Sequence, residues 1–130
     1  MGKYIELNKN NIKENIEEGV ALVDFWASWC GPCRKENINY KALNTELKNN
    51  AIAIVGFSLD NSAFMWKKAL KEDNLSWLQL SDLMADKSPV VDFFKINSIP
   101  ANIIIDHSGK IIGRNIPTHK LLSFIKSFGM

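Results

Sequence analysis

The sequence predicts an α/β domain in which helices cover both faces of a central sheet, and three observations lead to this fold class. Two near-continuous apolar runs, Val20–Trp26 and residues 51–59, have the composition of strands that are buried on both faces. A segment with apolar residues at helical spacing follows each of them. Near the end, residues 102–106 and 110–114 are predicted to form a hairpin around a tight turn at residues 107–109. Strands that alternate with helices and then form a hairpin are typical of a three-layer α/β domain.

The first elements precede the buried strand Val20–Trp26. Residues 3–7 are predicted to form a short strand. A short helix follows, with Asn10 or Asn11 as its cap and Gly19 at its end.

The next helix is predicted over residues 34–47, because this segment contains no Gly or Pro and its apolar or small residues have helical spacing. Those residues are Ile38, Ala42, Leu43 and Leu47. The pair Asn49-Asn50 breaks the helix, and the second buried strand then begins.

The second half of the chain continues the alternation of helix and strand. A helix is predicted after a cap at Asp60, Asn61 or Ser62, then an extended piece at residues 76–80, then a helix opened by Ser88-Pro89. A last helix is predicted over residues 118–128. The apolar residues offered for burial by these three helices are Phe64, Met65, Ala69, Leu70, Val90, Val91, Phe93, Phe94, Leu121, Leu122, Ile125 and Phe128.

Composition indicates one globular domain over residues 1–130. The chain has 46% hydrophobic and 23% charged residues, which is ordinary for a globular protein. A net charge of +2 gives no argument for binding nucleic acid or an anionic membrane. No apolar run approaches the roughly 20 residues that a membrane-spanning helix needs.

Both cysteines of the chain, Cys30 and Cys33, lie where the first buried strand gives way to a helix, with Gly31 and Pro32 forming the turn. Unpaired N–H groups and the positive end of the helix dipole favour a thiolate at Cys30. Cys33 lies one helical turn further on and can attack a mixed disulfide formed at Cys30. The pattern therefore predicts reversible dithiol–disulfide exchange.

Zinc binding is the alternative for a C-x-x-C pattern. A zinc site needs four ligands, and beyond the cysteines only His107 and His119 remain, at a spacing unlike that of zinc sites. A purely structural disulfide is a second alternative, but so short a loop removes little entropy from the unfolded chain. We expect no metal and no cofactor.

The segment from Val23 to Cys33, Val-Asp-Phe-Trp-Ala-Ser-Trp-Cys-Gly-Pro-Cys, resembles the active-site segment of thioredoxin. From about residue 4 to residue 125, the chain resembles the TlpA/ResA type of thiol–disulfide oxidoreductase, a branch related to the AhpC/TSA proteins, in its Bacteroidetes-like form. Four further segments carry this resemblance: Cys-Arg-Lys-Glu from Cys33, Ser-Asp-Leu from Ser81, Ile-Pro-Ala from Ile99, and Ile-Asp from Ile105 with the Gly-Lys-Ile-Ile that begins at Gly109. The resemblance implies a thioredoxin-like fold with a mixed sheet. It also implies that residues 60–96 are a TlpA/peroxiredoxin-type insertion.

The resemblance also implies roles for residues of the site. Cys30 is the expected nucleophile and Cys33 the resolving thiol, while Asp24 assists proton transfer. Pro100 is expected to follow a cis peptide bond opposite the cysteines, with the backbone of Ile99 offered to a bound substrate. A structural hydrogen bond is the alternative role for Asp24, and the lysine that partners this acid in thioredoxin aligns with Gly56 here.

The helix after the cysteines contributes a further candidate, Glu36, which matches an active-site glutamate of ResA-like proteins. A solvated surface acid is the alternative. The substrate-binding surface is expected to comprise Trp29, Gly31, Pro32, Ile99 and Pro100. Ile38 stands where many relatives have a proline that kinks the helix.

We therefore expect a protein-disulfide reductase that acts through the Cys30–Cys33 dithiol. A thiol peroxidase on the same fold is the alternative enzyme, but Ala27-Ser28-Trp29 before Cys30 does not match the P-x-x-x-T-x-x-C segment of peroxiredoxins. A non-catalytic binding domain is the alternative outside the enzymes.

The expected partners are a disulfide-containing protein substrate and a separate protein reductant, and we expect a monomer. The first residues contain no apolar segment of a signal peptide. The protein therefore either acts in the cytoplasm or has lost a leader or anchor. The resemblance implies a periplasmic or otherwise extracytoplasmic location.

Overall fold

A five-stranded mixed sheet forms the centre of the structure, a computed structural model that describes residues 19–127. The strands are β1 (Val20–Trp26), β2 (Ile52–Ser58), β3 (Leu78–Ser81), β4 (Ala101–Ile105) and β5 (Ile111–Arg114). Their order across the sheet is β3-β2-β1-β4-β5. The first three are parallel to one another, whereas β4 is antiparallel to both β1 and β5. The predicted α/β class, the two buried strands and the hairpin are confirmed.

Within the described part of the chain, four α-helices connect and follow the strands. They are α1 (Gly31–Asn49), α2 (Ala63–Asp73), α3 (Pro89–Phe93) and α4 (Leu121–Lys126), with short 3₁₀ turns at Ala85–Lys87 and Thr118–Lys120. Ser62 and Ser88 cap α2 and α3, since their side chains accept hydrogen bonds from the N–H groups of Met65 and Val90. The strand and helix predicted before Gly19 lie outside the described residues, as does Phe128.

The two faces of the sheet have different covers. One face packs its apolar side chains against Tyr40 and Leu47 of α1 and Leu121 and Ile125 of α4. At the end of β1, Trp26 on the same face packs with Trp66 and other residues of α2. The opposite face packs against α3 and the residues after it. The end of β1 that leads into α1 therefore lies among two helices and the sheet.

The buried side of α1 differs from the predicted one. The spacing predicts Ile38, Ala42, Leu43 and Leu47 as the inward face, but Ile38 is 58% exposed and Ala42 is exposed as well. The fully buried positions of the helix are Cys33, Asn37, Tyr40 and Leu47. The start of the helix is fixed by the turn after β1, and this turn directs Cys33 and the residues one and two turns later toward the sheet.

Three further apolar residues that were offered for burial are exposed. Phe64, Met65 and Phe93 are 73%, 46% and 51% exposed. In α2 the buried side instead consists of Trp66, Ala69 and Leu70. Within residues 19–127 no helix is long and apolar enough to span a membrane.

Candidate active site

The two cysteines lie at the junction between β1 and α1. Cys30 is the N-cap of α1, its N–H donates to the carbonyl of Ala27 at 3.0 Å, and its Sγ accepts from the N–H of Cys33 at 3.2 Å. A disulfide joins the two sulfurs, with an S–S distance of 2.04 Å. Gly31 and Pro32 form the exposed first turn of the helix. Cys30 retains 6% exposure, whereas Cys33 has none, so partners in solution reach the pair from the Cys30 side.

A buried carboxylate holds the turn that precedes Cys30. Asp60 is 2% exposed and accepts hydrogen bonds from the N–H of Ser28 at 3.1 Å and from its hydroxyl at 2.5 Å. The Ser58 hydroxyl donates to the same carboxylate. Of the three predicted caps, Asp60, Asn61 and Ser62, the structure confirms Ser62, while the Asp60 carboxylate binds the active-site turn instead.

Arg34 adds a second anchor from the first turn of α1. Its guanidinium donates to both carboxylate oxygens of Asp73 at 2.8 Å, to Glu72 at 3.0 Å and to the carbonyl of Ser28 at 3.4 Å. These contacts raise the pKa of the guanidinium further, chiefly through the hydrogen bonds with Asp73 and then Glu72. The turn before Cys30 is therefore held from both of its sides.

Asp24 lies within β1, fully buried, and neither carboxyl oxygen has a hydrogen-bond partner among residues 19–127. Burial raises the pKa of this carboxyl well above its usual range, and the charge of Glu36 raises the pKa further. In the sheet Asp24 pairs with Gly56 on β2, the position that the sequence comparison with thioredoxin assigned to the missing lysine.

Glu36 is half-buried on α1. Its carboxylate accepts from Asn39 at 2.8 Å and from the Thr118 hydroxyl at 3.5 Å. Glu36 forms no hydrogen bond with either cysteine. Its charge acts on the site by adding to the burial that raises the pKa of Asp24 and of Tyr40.

A largely apolar groove lies beside Trp29, the residue that precedes Cys30. The Trp29 side chain is 69% exposed, and with Leu59, Val91, Ile96 and Ile99 it lines a groove of about 570 Å³. The peptide bond between Ile99 and Pro100 is cis, as the resemblance implies. Ile99 is partly buried against the core clusters on both sides of the sheet, while Pro100 is exposed.

Sequence reasoning missed the contacts that support this site. Asp60 was offered only as one of three possible helix caps, and no contact was predicted for Arg34. A buried acid directly after an apolar strand was the available signal for Asp60, whereas the sequence holds no signal for the ion pair of Arg34. Within residues 19–127, no three His, Cys, Asp or Glu side chains converge in a way that could hold a metal.

A thioredoxin-like protein with a redox-active C-x-x-C pair is the class that this sheet, its helices and the paired sulfurs define. The family model described as Redoxin matches residues 5–121. The chain belongs to the Redoxin family.

Similar solved structures come from Bacteroides. One is a thiol-disulfide oxidoreductase from Bacteroides fragilis, with 37% identity, a TM-score of 0.76, and coverage of 84% of this chain and 80% of that one. The thioredoxin domain of a thiol-disulfide oxidoreductase from Bacteroides vulgatus has 30% identity, a TM-score of 0.79, and coverage of 88% and 82%.

A curated relative, the thiol-disulfide oxidoreductase ResA of Bacillus cereus, is 28% identical over 116 residues, which are 88% of this chain. The chain spans 61% of the length of that relative and 54% of the ResA of Oceanobacillus iheyensis.

Proposed function

We propose that this chain is a thiol–disulfide oxidoreductase that reduces disulfide bonds of proteins, with Cys30 as nucleophile and Cys33 as resolving thiol. The observation that carries the proposal is the unequal burial of the two cysteines at the start of α1, where Cys30 is 6% exposed and Cys33 is not exposed at all. Of the two residues, only Cys30 has surface that a disulfide on another protein can meet.

The helix start supports the nucleophilic role of Cys30. Its Sγ already accepts the Cys33 N–H, one of the donors that the first turn of a helix leaves unpaired. These donors and the positive end of the helix dipole stabilise a negative sulfur. Cys30 as a thiolate is therefore the better attacking group of the pair.

Reduction of a substrate then takes two steps. The Cys30 thiolate attacks one substrate sulfur, forming a mixed disulfide while the other substrate sulfur leaves with the electron pair. Cys33 loses its proton and attacks Cys30, which forms the Cys30–Cys33 bond and releases the second substrate sulfur as a thiolate. Two electrons pass from the dithiol to the substrate, and a separate protein reductant restores the dithiol.

Asp24 is the proposed acceptor of the Cys33 proton. Its carboxyl lies fully buried without a hydrogen-bond partner in the described chain, and burial raises its pKa. A carboxyl whose pKa is raised toward neutrality is suited to accept and return a proton near pH 7. Glu36, half-buried and acting on Asp24 through its charge, is proposed to tune this transfer.

The groove beside Cys30 is the proposed docking surface. Trp29 offers an exposed ring on one side, and Ile99 with the cis-linked Pro100 lies on the other side, with Gly31 and Pro32 exposed next to the sulfur. An extended peptide can lie in such a groove through apolar contacts and through the Ile99 backbone.

We also propose that residues 1–130 form one domain, that the protein acts as a monomer, and that it works outside the cytoplasm.

Reduction of the disulfides of insulin in the presence of dithiothreitol tests the proposal. The parent should accelerate reduction, the Cys30→Ser variant should not, and the Cys33→Ser variant should accumulate a mixed disulfide with the substrate. A Cys30→Ser variant as active as the parent would falsify the assignment.

The redox potential of the pair tests the direction of exchange. A reductase should have a potential near that of thioredoxin, about −270 mV, rather than the roughly −120 mV of a strong oxidant. A potential above about −150 mV would assign the protein to disulfide donation. Rapid consumption of hydrogen peroxide in place of insulin reduction would instead favour a peroxidase.

A further inference from the structure

Four residues of neighbouring strands form one row across the face of the sheet that α1 covers. Asn102 on β4 pairs with Asp24 on β1, Asp24 pairs with Gly56 on β2, and Gly56 pairs with Gln79 on β3. Directly paired residues project to the same face of a sheet. Gly56 has no side chain, so no side chain of β2 stands between Asp24 and Gln79 on this face.

The Gln79 amide fills the space above Gly56. A Cβ atom built on Gly56 would lie 2.2 Å from Gln79 Oε1 and 2.8 Å from Nε2. Neighbouring strands are about 4.7–4.9 Å apart, so the amide lies about one strand spacing from the backbone of Asp24. At this spacing one water molecule, or a rotation of the Gln79 side chain, is enough to connect the amide with the carboxyl.

The orientation of the amide follows from Trp26. The indole Nε1 donates to Gln79 Oε1 at 3.2 Å, and because an indole N–H can only donate, the amide oxygen must face it. The NH₂ group of Gln79 therefore faces away from the indole. Its Nε2 is buried without a partner among residues 19–127, and the same is true of both carboxyl oxygens of Asp24.

The amide on the other side of Asp24 is already occupied. Asn102 Nδ2 donates to the Tyr40 hydroxyl at 3.1 Å and to the carbonyl of Ile116 at 2.9 Å. Both of its N–H bonds are therefore used. Within the row, Gln79 has the donor that is still available to Asp24.

We propose that Gln79 is a positioning residue for the resolving step, and that its side-chain N–H donates to the ionised Asp24 carboxylate, directly or through one water. The proposal rests on the function proposed above. In that step the Cys33 proton passes to Asp24 as the Cys33 sulfur bonds to Cys30 and the substrate thiolate leaves. Asp24 can accept the proton only when it is ionised, and a donor stabilises that form.

Burial, Glu36 and Tyr40 form the electrostatic surroundings in which the Gln79 donor acts on the Asp24 pKa. Burial and the charge of Glu36 both favour the protonated form of Asp24 and so raise its pKa. Burial raises the pKa of Tyr40, also on α1, and the charge of Asp24 raises it further. Among the described residues, the strands beside β1 supply Asn102, Gly56 and Gln79, none of which titrates, and Cys33 becomes titratable once the disulfide is reduced.

The direct test is the pKa of Asp24, measured by NMR titration of its carboxyl carbon in the disulfide-bonded protein. The variant Gln79→Met keeps the side-chain length without the donor, and the Asp24 pKa should rise by about one to two units. Repeating the comparison in a Glu36→Gln background removes the titration of Glu36. An Asp24 pKa that stays within about 0.3 of the parent value would overturn the proposal, given the size of a charge-assisted hydrogen bond.

Asn37 provides the matched control, since it is another fully buried amide whose side chain has no partner among the described residues. The variant Asn37→Leu should leave the Asp24 pKa unchanged. A rise with Asn37→Leu but not with Gln79→Met would assign the donor to α1 instead. If Gln79→Met does not fold, Gln79→Asn withdraws the amide by one methylene, and the same rise is expected.

A positive charge placed above Gly56 should lower the Asp24 pKa, the opposite of the rise expected for Gln79→Met. In the double variant Gly56→Lys, Gln79→Ala, the space that Gln79 occupied receives an ammonium group, and the Asp24 pKa should fall below the parent value. An Asp24 pKa that is unchanged in this double variant would contradict the predicted proximity of Gln79 to Asp24.

Kinetics link the row to the chemistry. In Gln79→Met the decay of the mixed disulfide at pH 7 should slow, by up to about tenfold for each unit by which the Asp24 pKa rises, whereas its formation by Cys30 should keep the parent rate. Gln79→Met could raise the Asp24 pKa as expected while the parent protein fails to reduce disulfides. That result would contradict the proposed function and leave the role of Gln79 beside Asp24 intact, because the titration does not depend on activity.

Discussion

Arg34 at the start of α1 and Asp73 at the end of α2 form an ion pair with two hydrogen bonds, Nε to Oδ2 and Nη2 to Oδ1, both at 2.8 Å. The same guanidinium donates to the carbonyl of Ser28. Two helices and the turn before Cys30 therefore meet at one side chain. The geometry is the paired, planar arrangement that arginine makes with a carboxylate and that lysine cannot reproduce.

The variant Arg34→Ala should lower the free energy of unfolding by about 1–2 kcal/mol, a value reduced from that of a fully buried charged hydrogen bond because the arginine is partly exposed. Urea unfolding of the disulfide-bonded protein measures this. Lys35→Ala is the matched control, since Lys35 is the exposed next residue. Equal stability of the two variants would contradict the role given to Arg34.

Asp60 should contribute more to stability than Arg34. Its buried carboxylate accepts from the N–H and hydroxyl of Ser28 and from the Ser58 hydroxyl, and Asp60→Ala leaves these donors without an acceptor. The expected loss is about 2–4 kcal/mol. Urea unfolding measures it, with the exposed Asp86→Ala as control. A loss below about 0.5 kcal/mol, the usual range of surface substitutions, would argue against this anchor.

The raised pKa of Asp24 predicts how stability depends on pH. Because the folded state holds the proton more tightly than the unfolded chain, stability falls as pH rises from the unfolded pKa of about 3.9 to the folded pKa. Asp24→Asn removes this dependence, so the stability of the variant relative to the parent should improve by about 1.4 kcal/mol for each pH unit inside that window.

Urea unfolding of parent and Asp24→Asn at a series of pH values from 4 to 9 measures this difference. Other carboxyl groups titrate in both proteins and cancel. Asp86→Asn, at an exposed acid, should run parallel to the parent. Parallel curves for Asp24→Asn as well would mean that the carboxyl has an ordinary pKa in the folded protein.

Trp29 should affect docking and leave folding unchanged. With 69% of the side chain exposed, Trp29→Ala removes little burial, so the free energy of unfolding should stay within about 0.5 kcal/mol of the parent value. Reduction of insulin should slow severalfold, whereas the reaction with the small disulfide of oxidised dithiothreitol should not change. Phe64→Ala is the control, because Phe64 is 73% exposed and does not line the groove.

The strands of the sheet were predictable from sequence because their signal is local. Val20–Trp26 is apolar at nearly every position, and such a run is suited to a strand covered on both faces. The inward face of α1 was not predictable in the same way. Its buried positions include the polar Asn37, while the apolar Ile38 faces solvent, because the disulfide turn and the sheet orient this helix more strongly than its own hydrophobic pattern.

The chemistry of the site was readable only where it is contiguous in sequence. Cys30 and Cys33 lie three residues apart and were identified at once. Asp60 is 32 residues from Ser28, and Gln79 is 53 residues from Trp26. Contacts of that separation depend on the order of strands in the sheet, which spacing in the sequence does not encode.

The unequal burial of the two cysteines also constrains how the protein would meet its partners in turn. A reductant that reopens the Cys30–Cys33 bond must attack Cys30, since Cys33 has no exposed surface. Substrate and reductant would then use the same groove beside Trp29, one after the other and never together. Each partner would inhibit the reaction of the other by competition, and the rates would follow a ping-pong pattern. One small surface would thus have to accept two unrelated proteins, which favours nonspecific apolar and backbone contacts over a tailored interface.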